Sequence, residues 1–225
     1  MTAFTQIAIF DLDGTLVDSV EQIALNLNKA RRDFGFPMQP ISYYQQLVGL
    51  PVNELLSDIE ISKELSTDLV TQFRKYLIED IKTGNNLVFS GVLGTLELFS
   101  GMHLGLAIAT SKPTKVAVEV IKHSSLRDFD LYVQGTDDFP AKPDPEVILR
   151  VLRHFPGIPS FMVGDRTEDI FAAQLAALPA IGIASSAHSE SDLKDAGATL
   201  TFETFQSFYY HLKADVSLIP KLSKS

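Results

Sequence analysis

Short apolar runs alternate with helix-like periodicity along most of the chain. Residues 7–10 are all apolar, and comparable runs span residues 104–109, 161–163 and 180–184. Runs this short, bounded by glycine, proline or polar residues, are typical of strands that are buried on both faces. Between the runs, apolar residues recur every three or four positions, which indicates amphipathic helices. We therefore predict a Rossmann-like α/β core, a doubly wound parallel sheet with helices on both faces.

The remaining elements of the predicted core follow from the same periodicity. Helices are expected at about 92–99, after Pro113, and at 145–155, 167–177, 190–196 and 204–212, with further strands at 129–133 and 199–202. The polar tail from Lys213 is expected to be frayed.

Residues 19–85 interrupt this alternation with a stretch that is helical throughout. A first helix follows Ser19, its predicted N-cap, and Ser42 and Gln45 have the spacing of a capping box. Further helices are expected at 52–58 and 65–81. The sequence thus predicts a core of residues 1–18 and 86–225 with a helical insertion at 19–85, whose hinges would be Asp18–Ser19 and residues 83–86.

The composition restricts the range of partners and reactions. The net charge is −9 and the pI is about 5.0, which argues against nucleic acid and anionic membrane surfaces as partners. There is no cysteine, so disulfides and thiolate catalysis are excluded, and the five histidines have no metal-ligand spacing. The N-terminus does not resemble a signal peptide and no run reaches the length of a membrane span, so we expect a cytoplasmic protein.

Asp11 and Asp13 are the most informative polar residues, since they follow the first apolar run and precede Gly14. Residues two apart in an extended chain point to the same face, where two carboxylates repel unless a cation or a proton separates them. A solvated turn is the alternative interpretation of this pair, because aspartate and glycine are common turn residues.

Other predicted strands also end in polar groups. Thr110 and Ser111 follow the run at 104–109, Lys142 precedes a helix, and Asp165 and Asp169 follow the run at 161–163. Each has a simpler explanation as a helix cap, a loop lysine or a turn residue. Ligands of parallel sheets bind at the carboxyl ends of the strands, however, and these groups should meet there.

Together these groups suit a phosphoryl site. Asp11, Asp165 and Asp169 provide the oxygen ligands that Mg²⁺ prefers, and Thr110 and Lys142 could hold phosphoryl oxygens. A carboxylate beside the metal is a plausible nucleophile.

In the order and spacing of these motifs, the chain resembles the haloacid dehalogenase superfamily over nearly its whole length. Within that superfamily it is most similar to phosphoglycolate phosphatase-type enzymes, which carry a helical cap after the first motif. The resemblance rests on Asp11-Leu12-Asp13-Gly14-Thr15, on Thr110, on Lys142 in Lys-Pro-Asp-Pro, and on Gly164-Asp165 with Asp169.

The resemblance implies a role for each motif residue. Asp11 would attack phosphorus and form an aspartyl-phosphate, and Asp13 would be the general acid and base. Thr110 would orient the phosphoryl group, and Lys142 would neutralise its charge and that of Asp11. Mg²⁺ would be bound by Asp11, the main-chain carbonyl of Asp13, Asp165, and Asp169 directly or through water.

Four positions refine this interpretation. Asp13 favours phosphate esters, because superfamily members that cleave other bonds lack it. Ser111 replaces a common asparagine, but its backbone amide could still donate to phosphate. Gly49 matches a loop that folds over the active site in relatives, with a simple helix break as the alternative. Arg166 replaces a common serine or threonine, and we expect a surface residue or an extra cation near the site.

These features predict a Mg²⁺-dependent phosphatase acting on a small-metabolite phosphomonoester such as phosphoglycolate, a nucleotide or a sugar phosphate. A sugar-phosphate mutase with the same aspartyl-phosphate is the first alternative, and a non-catalytic binding module is the second. The expected partner is a small phosphate ester, and the expected state is a monomer or a homodimer.

Overall fold

The large sheet has six parallel strands, as the alternating pattern predicts. A computed structural model describes residues 4–84 and 86–216. The strand order is β5-β4-β1-β6-β7-β8. The strands are β1 (Ile7–Phe10), β4 (Gly105–Thr110), β5 (Leu131–Gly135), β6 (Ser160–Gly164), β7 (Ala180–Ile183) and β8 (Leu200–Phe202).

Helices cover both faces of this sheet. Those of the core are α4 (Val92–Gly101), α5 (Thr114–Lys122), α6 (Glu146–His154), α7 (Thr167–Leu175), α8 (Glu190–Asp195) and α9 (Phe205–Ala214). Ala8 and Phe10 pack into the apolar layer on the α4, α5 and α9 side, while Ile7 and Ile9 pack into the layer formed by α6, α7 and α8. The central strand is therefore fully buried, which explains why its sequence shows no alternation.

A second, two-stranded sheet joins the helical insertion to the core, and the sequence pattern did not predict it. Strand β2 (Val17–Asp18) pairs antiparallel with β3 (Leu87–Val88), with Val17 opposite Val88. Asn86 lies beside this pair and donates to the carbonyl oxygens of Ile81 and His123 at 2.8 and 3.0 Å. Asn85, in the predicted hinge at 83–86, lies outside the described residues.

The insertion between β2 and β3 consists of α1 (Val20–Asp33), α2 (Ile41–Gln45) and α3 (Lys63–Ile81). The buried guanidinium of Arg31 donates to both carboxylate oxygens of Asp58, at 2.9 and 2.5 Å. Gln39 and Tyr43 donate to the same carboxylate at 2.7 and 3.0 Å. These hydrogen bonds, that of Arg31 first, lower the pKa of Asp58.

Several local predictions for the insertion were wrong. Ser42 and Gln45 form no capping box, because α2 starts at Ile41 with Pro40 as its N-cap and Ser42 lies inside the helix. Ser19 is the N-cap residue of α1, as predicted, although its side chain makes no capping hydrogen bond. Only Glu54–Leu56, within the predicted helix at 52–58, is helical, as a single 3₁₀ turn.

Two predictions for the core need smaller corrections. Strand β5 begins at Leu131 rather than at residue 129, because a 3₁₀ turn at Ser125–Asp128 precedes it and Phe129 closes that turn. Helix α9 continues to Ala214, so Lys213 is helical, while residues 217–225 of the predicted frayed tail lie outside the described residues.

Candidate active site

The turn after β1 brings Asp11, Asp13 and Gly14 to the carboxyl edge of the sheet. The backbone N–H of Asp11 donates to the carbonyl oxygen of Val163 on β6 at 2.9 Å, which fixes the start of the turn. Gly14 has a φ of +86°, and a Cβ there would lie 2.5 Å from Oδ2 of Asp165. Glycine is therefore required for backbone conformation and for space, and the turn closes directly on Asp165.

Lys142 lies at the centre of the site. Its Nζ donates to Oδ1 of Asp11 at 2.6 Å, to Oδ1 of Asp169 at 2.5 Å and to the carbonyl oxygen of Ala109 at 3.0 Å. Burial opposes the charge on Lys142, but Asp11 and Asp169 outweigh this effect and raise its pKa. A charged ammonium therefore connects the ends of β1 and β4 with α7.

Three buried carboxylates, those of Asp11, Asp165 and Asp169, form the acidic part of the site. One oxygen from each lies within 4.8 Å of the others. Burial raises the pKa of Asp11 to about 7, although the charge of Lys142 opposes this rise. Burial, and after it the charges of Asp169 and Asp11, raise the pKa of Asp165 well above its usual value. Burial disfavours the charged form of these carboxylates, and a nearby positive charge would favour it. The group of hard oxygen donors therefore fits a divalent cation such as Mg²⁺.

Local hydrogen bonds orient two of these carboxylates. Thr15 Oγ1 donates to Oδ1 of Asp165 at 2.7 Å. The backbone N–H of Arg166 donates to Oδ2 of Asp169 at 3.0 Å, so that Asp169 caps the first turn of α7. Since Lys142 contacts the other oxygen of Asp169, both oxygens of that carboxylate have a donor.

Asp13 faces a second cation instead of joining the three carboxylates. Its Oδ2 lies 3.1 Å from Nζ of Lys112, and both side chains are buried. Its other oxygen, Oδ1, is buried and has no hydrogen-bond partner among the described residues. Asp13 was predicted to bind the metal through its main-chain carbonyl. In agreement with that, the group of three carboxylates does not include the side chain of Asp13.

The residues at the end of β4 lie where the sequence predicts them. The buried hydroxyl of Thr110 accepts from the backbone N–H of Lys112 at 3.2 Å. The hydroxyl oxygen of Ser111 is buried without a hydrogen-bond partner in the described part of the chain. Ser111 and Lys112 line a cavity of about 330 Å³ together with Asp13, Gly49 and Arg74. The site therefore opens on a space bounded by both core and insertion.

A second cavity of about 300 Å³ lies on the other side of the turn after β1. Gly14, Thr15 and Asp165 line it from the core, and Val48 lines it from the insertion. Val48 also lines the first cavity, so the loop after α2 separates the two spaces.

Arg166 is the one predicted surface residue that is buried in the site region. Its exposed fraction is 5%, and its Nη1 donates to the carbonyl oxygens of Gln46 and Val48 at 3.1 Å each. Backbone carbonyls of the insertion have no sequence signal, which is why the interpretation as a surface residue was wrong.

Sequence reasoning also assigned no role to Thr15, Lys112 and Arg74. Thr15 and Lys112 belong to the motifs at the ends of β1 and β4, which was a usable signal, and in the structure they contact Asp165 and Asp13. Arg74 lies on α3, far along the chain from the other residues of the first cavity, and no local pattern marks it.

The fold and site define a doubly wound α/β protein with a buried acidic centre at the carboxyl edge of its sheet. The sequence pattern of the family described as haloacid dehalogenase-like hydrolase matches residues 8–183. The probable phosphatase IndB of Dickeya dadantii is 32% identical over 206 residues, covering 88% of this chain and 90% of that protein.

Two further comparisons agree. A phosphoglycolate phosphatase of Vibrio vulnificus is 33% identical over 186 residues, with coverage of 77% and 81%. A crystal structure described as a "predicted phosphoglycolate phosphatase", from Haemophilus somnus, has a TM-score of 0.79 at 25% identity and covers 94% of this chain and 99% of that one. The chain belongs to the haloacid dehalogenase-like hydrolases. It is a phosphoglycolate phosphatase-like member of that hydrolase family, and the relatives IndB and the Vibrio vulnificus protein are named as phosphatases.

None of the helices within residues 4–84 and 86–216 combines the length and the apolar character that crossing a membrane requires.

Proposed function

We propose that the protein hydrolyses the phosphomonoester of a small metabolite with Mg²⁺ as cofactor, through a phosphoryl group carried on Asp11. The observation that carries this proposal is the environment of Asp11. Its carboxylate contacts the ammonium of Lys142 at 2.6 Å and lies in one group with Asp165 and Asp169. A buried carboxylate beside a cation and within a group of metal-binding oxygen donors matches the needs of a nucleophile in phosphoryl transfer.

The reaction has two steps at phosphorus. In the first, a carboxylate oxygen of Asp11 forms a bond to phosphorus while the ester P–O bond breaks, and Asp13 gives its proton to the leaving oxygen. In the second, Asp13 takes a proton from water, whose oxygen attacks phosphorus and releases Asp11 and inorganic phosphate. Lys112 holds Oδ2 of Asp13. Oδ1 has no hydrogen-bond partner within residues 4–84 and 86–216, which supports the role of Asp13 in proton transfer.

Asp11, Asp165 and Asp169 would hold the metal ion, with the main-chain carbonyl of Asp13. A bound Mg²⁺ supplies electrostatic stabilisation of the negative charge on the phosphoryl oxygens. Lys142 supplies a fixed positive charge at the nucleophile. The buried hydroxyls of Thr110 and Ser111 at the end of β4 are suited to donate to the same oxygens.

The first cavity supports a small anionic substrate. Its volume of about 330 Å³ suits a metabolite, and Lys112 and Arg74 contribute positive charge to its lining. Phosphoglycolate, a sugar phosphate and a nucleotide all fall within this class, and a phosphoglycolate phosphatase is among the relatives. Residues 19–85 would act as the cap over a core of residues 1–18 and 86–225, and Gly49 would contact substrate from the cap.

The test is phosphate release from a panel of small phosphomonoesters, with Mg²⁺ or with EDTA. Wild type is compared with Asp11→Asn and with a control, Asp128→Asn, whose carboxylate is 73% exposed. The proposal expects release that requires both Mg²⁺ and Asp11 and is unchanged in the control. Acid quenching during turnover, followed by peptide mass spectrometry, should find a phosphoryl group at position 11 in wild type and in Asp128→Asn but not in Asp11→Asn.

Other outcomes separate the alternatives. Phosphate release by Asp11→Asn at the wild-type rate would rule out the aspartyl-phosphate. If no ester releases phosphate but a sugar bisphosphate primes isomerisation of a sugar monophosphate, the protein is a mutase. Binding without either reaction would indicate the non-catalytic module.

A further inference from the structure

Arg166 connects the metal-binding end of the core with the loop after α2. Its Nη1 donates to two carbonyl oxygens of the insertion, those of Gln46 and Val48, at 3.1 Å each. Its Nε donates to Oε2 of Glu168 at 3.2 Å, which balances the charge of the guanidinium. Buried hydrogen bonds from a charged donor are among the stronger ones in proteins, so this contact holds the two parts together.

Gly49 gives the guanidinium stem the space that it needs. It has a φ of +97°, and a Cβ at this position would lie 2.6 Å from Cδ of Arg166. A side chain is therefore excluded both by backbone conformation and by contact with Arg166. A hydrogen bond from Gln46 Nε2 to the carbonyl oxygen of Ser186, at 2.8 Å, fixes the same loop to the core a second time.

The position of Arg166 in the chain links the carboxylate group to the loop after α2. Arg166 follows Asp165 directly, and its backbone N–H donates to Asp169. Its side chain extends from the same point to residues 46–48. Val48 lines both cavities, and Gly49 lines the one that contains Asp13. A displacement of this loop would merge or open the space in which a substrate is bound.

We propose that Arg166 is a positioning residue that fastens the loop of residues 46–49 over the active site and thereby sets the binding of the non-phosphate part of the substrate. The kinetic part of this inference rests on the proposed phosphatase function. The fastening itself does not, and it can be measured without turnover.

Hydrogen exchange followed by mass spectrometry measures the fastening. Arg166→Gln removes the charge and most donors, and Arg166→Lys keeps the charge with a shorter reach. Arg127→Gln is the matched control, since the side chain of Arg127 is 64% exposed and only approaches Asp128 at 3.8 Å. Arg166→Gln should accelerate exchange in residues 44–52 by about tenfold or more, the effect of losing one charged hydrogen bond.

The same experiment contains its own internal reference. Peptides from α6, whose charged side chains pair with one another and with Asp138 rather than with the loop or Arg166, should exchange at the wild-type rate in every variant. The exchange rate of the loop in Arg166→Lys should lie between the rates in wild type and in Arg166→Gln. Equal acceleration in α6 and in the loop would show general destabilisation and would overturn the proposal, as would unchanged exchange in the loop.

Steady-state kinetics then distinguishes positioning from catalysis. With the best ester of the panel, Arg166→Gln should raise KM by about tenfold, because the loop no longer contacts the substrate. Arg166→Gln should hydrolyse acetyl phosphate with the wild-type KM, because the acetyl group is too small to depend on the loop. The Mg²⁺ concentration for half-maximal activity should not change, since the backbone N–H to Asp169 remains.

Equal loss with both substrates, or a weaker affinity for Mg²⁺, would show that Arg166 acts on the catalytic centre and would overturn its role in positioning the loop. If wild type hydrolyses neither compound, the phosphatase proposal fails, and the exchange data alone decide whether Arg166 fastens the loop.

Discussion

Replacing Lys142 with methionine should expose how much one ammonium contributes to a site with three buried carboxylates. Lys142 makes short hydrogen bonds to Asp11 and Asp169 at 2.6 and 2.5 Å, and a third to the carbonyl oxygen of Ala109. Methionine has a similar length and apolar stem but neither charge nor donor. The substitution therefore removes the cation and leaves its partners buried.

The magnitude follows from the burial of the pair. Lys142 and Asp11 are each 3% exposed in their side chains. Breaking a buried ion pair by removing one partner costs about 3–5 kcal/mol. For a chain of this size such a loss lowers Tm by about 6–20 °C, from about 2–4 °C per kcal/mol. We expect this decrease for Lys142→Met in EDTA at neutral pH.

Mg²⁺ should restore part of the lost stability, because a divalent cation among the carboxylates replaces the missing charge. At about 100 times its Kd, a ligand that binds only the folded state stabilises by about 2.7 kcal/mol. The increase in Tm on adding MgCl₂ should be larger in Lys142→Met than in wild type. Phosphatase activity should fall by at least about 100-fold, as when one donor to a transition-state oxyanion is lost.

Differential scanning calorimetry in EDTA and in MgCl₂ measures both effects. Lys122→Met is the control, since its ammonium is exposed and only approaches Glu119 at 3.8 Å. The reasoning would be refuted if Lys142→Met and Lys122→Met melted within about 2 °C of each other in EDTA, the scale of under 1 kcal/mol. If MgCl₂ raised Tm equally in wild type and in Lys142→Met, the idea that Mg²⁺ replaces the charge of Lys142 would be refuted.

Further predictions concern the turn after β1, the insertion and the cavity. Gly14→Ala places a Cβ 2.5 Å from Asp165 Oδ2 at a φ of +86°. It should therefore weaken Mg²⁺ binding, measured by titration calorimetry, and destabilise the folded protein by about 1–3 kcal/mol, measured by thermal melts. The pKa of Asp58 is lowered in the folded state, so the stability that it adds is present at neutral pH and declines as the pH falls below about 4. Urea unfolding of wild type and Asp58→Asn should therefore converge in acid, and a gap that does not change with pH would contradict this. Arg74→Gln should raise KM by about twofold to fivefold for esters with a second anionic group, as for an exposed ion pair, and leave neutral sugar phosphates unchanged. Equal effects on both would argue against contact with substrate.

The strands and the groups at their ends could be predicted because each is encoded locally. A short, fully apolar run such as Ile7–Phe10 is typical of a strand buried on both faces, and parallel order then brings Asp11, Thr110 and Asp165 to one edge. Lys142 is different, since its partner Asp11 is 131 positions away. Its place in a loop predicted it at the same edge of the sheet, but only the resemblance to a family suggested that it would neutralise the charge of Asp11. The catalytic and metal-binding roles of these residues stay predictions until they are tested.

The errors have a common physical origin in competing or distant partners. Ser42 has the spacing of a capping residue, but Pro40 starts α2 earlier and leaves that serine inside the helix. Arg166 was expected at the surface because its partners are the backbone carbonyls of Gln46 and Val48. Any sequence supplies such carbonyls, so no residue type marked them in advance. The pairing of β2 with β3 involves only two residues from each strand, too few for a periodic signal.

That short pairing has a consequence for how chemistry and selectivity can change separately. Val17 lies opposite Val88 and Asp18 opposite Leu87, so the chain leaves the core and returns to it at neighbouring positions. A segment inserted between adjacent ends can be lengthened, shortened or exchanged without altering the register of the six-stranded sheet. A chimera cut at these two strands could therefore acquire the substrate range of another protein while keeping its own reactive centre.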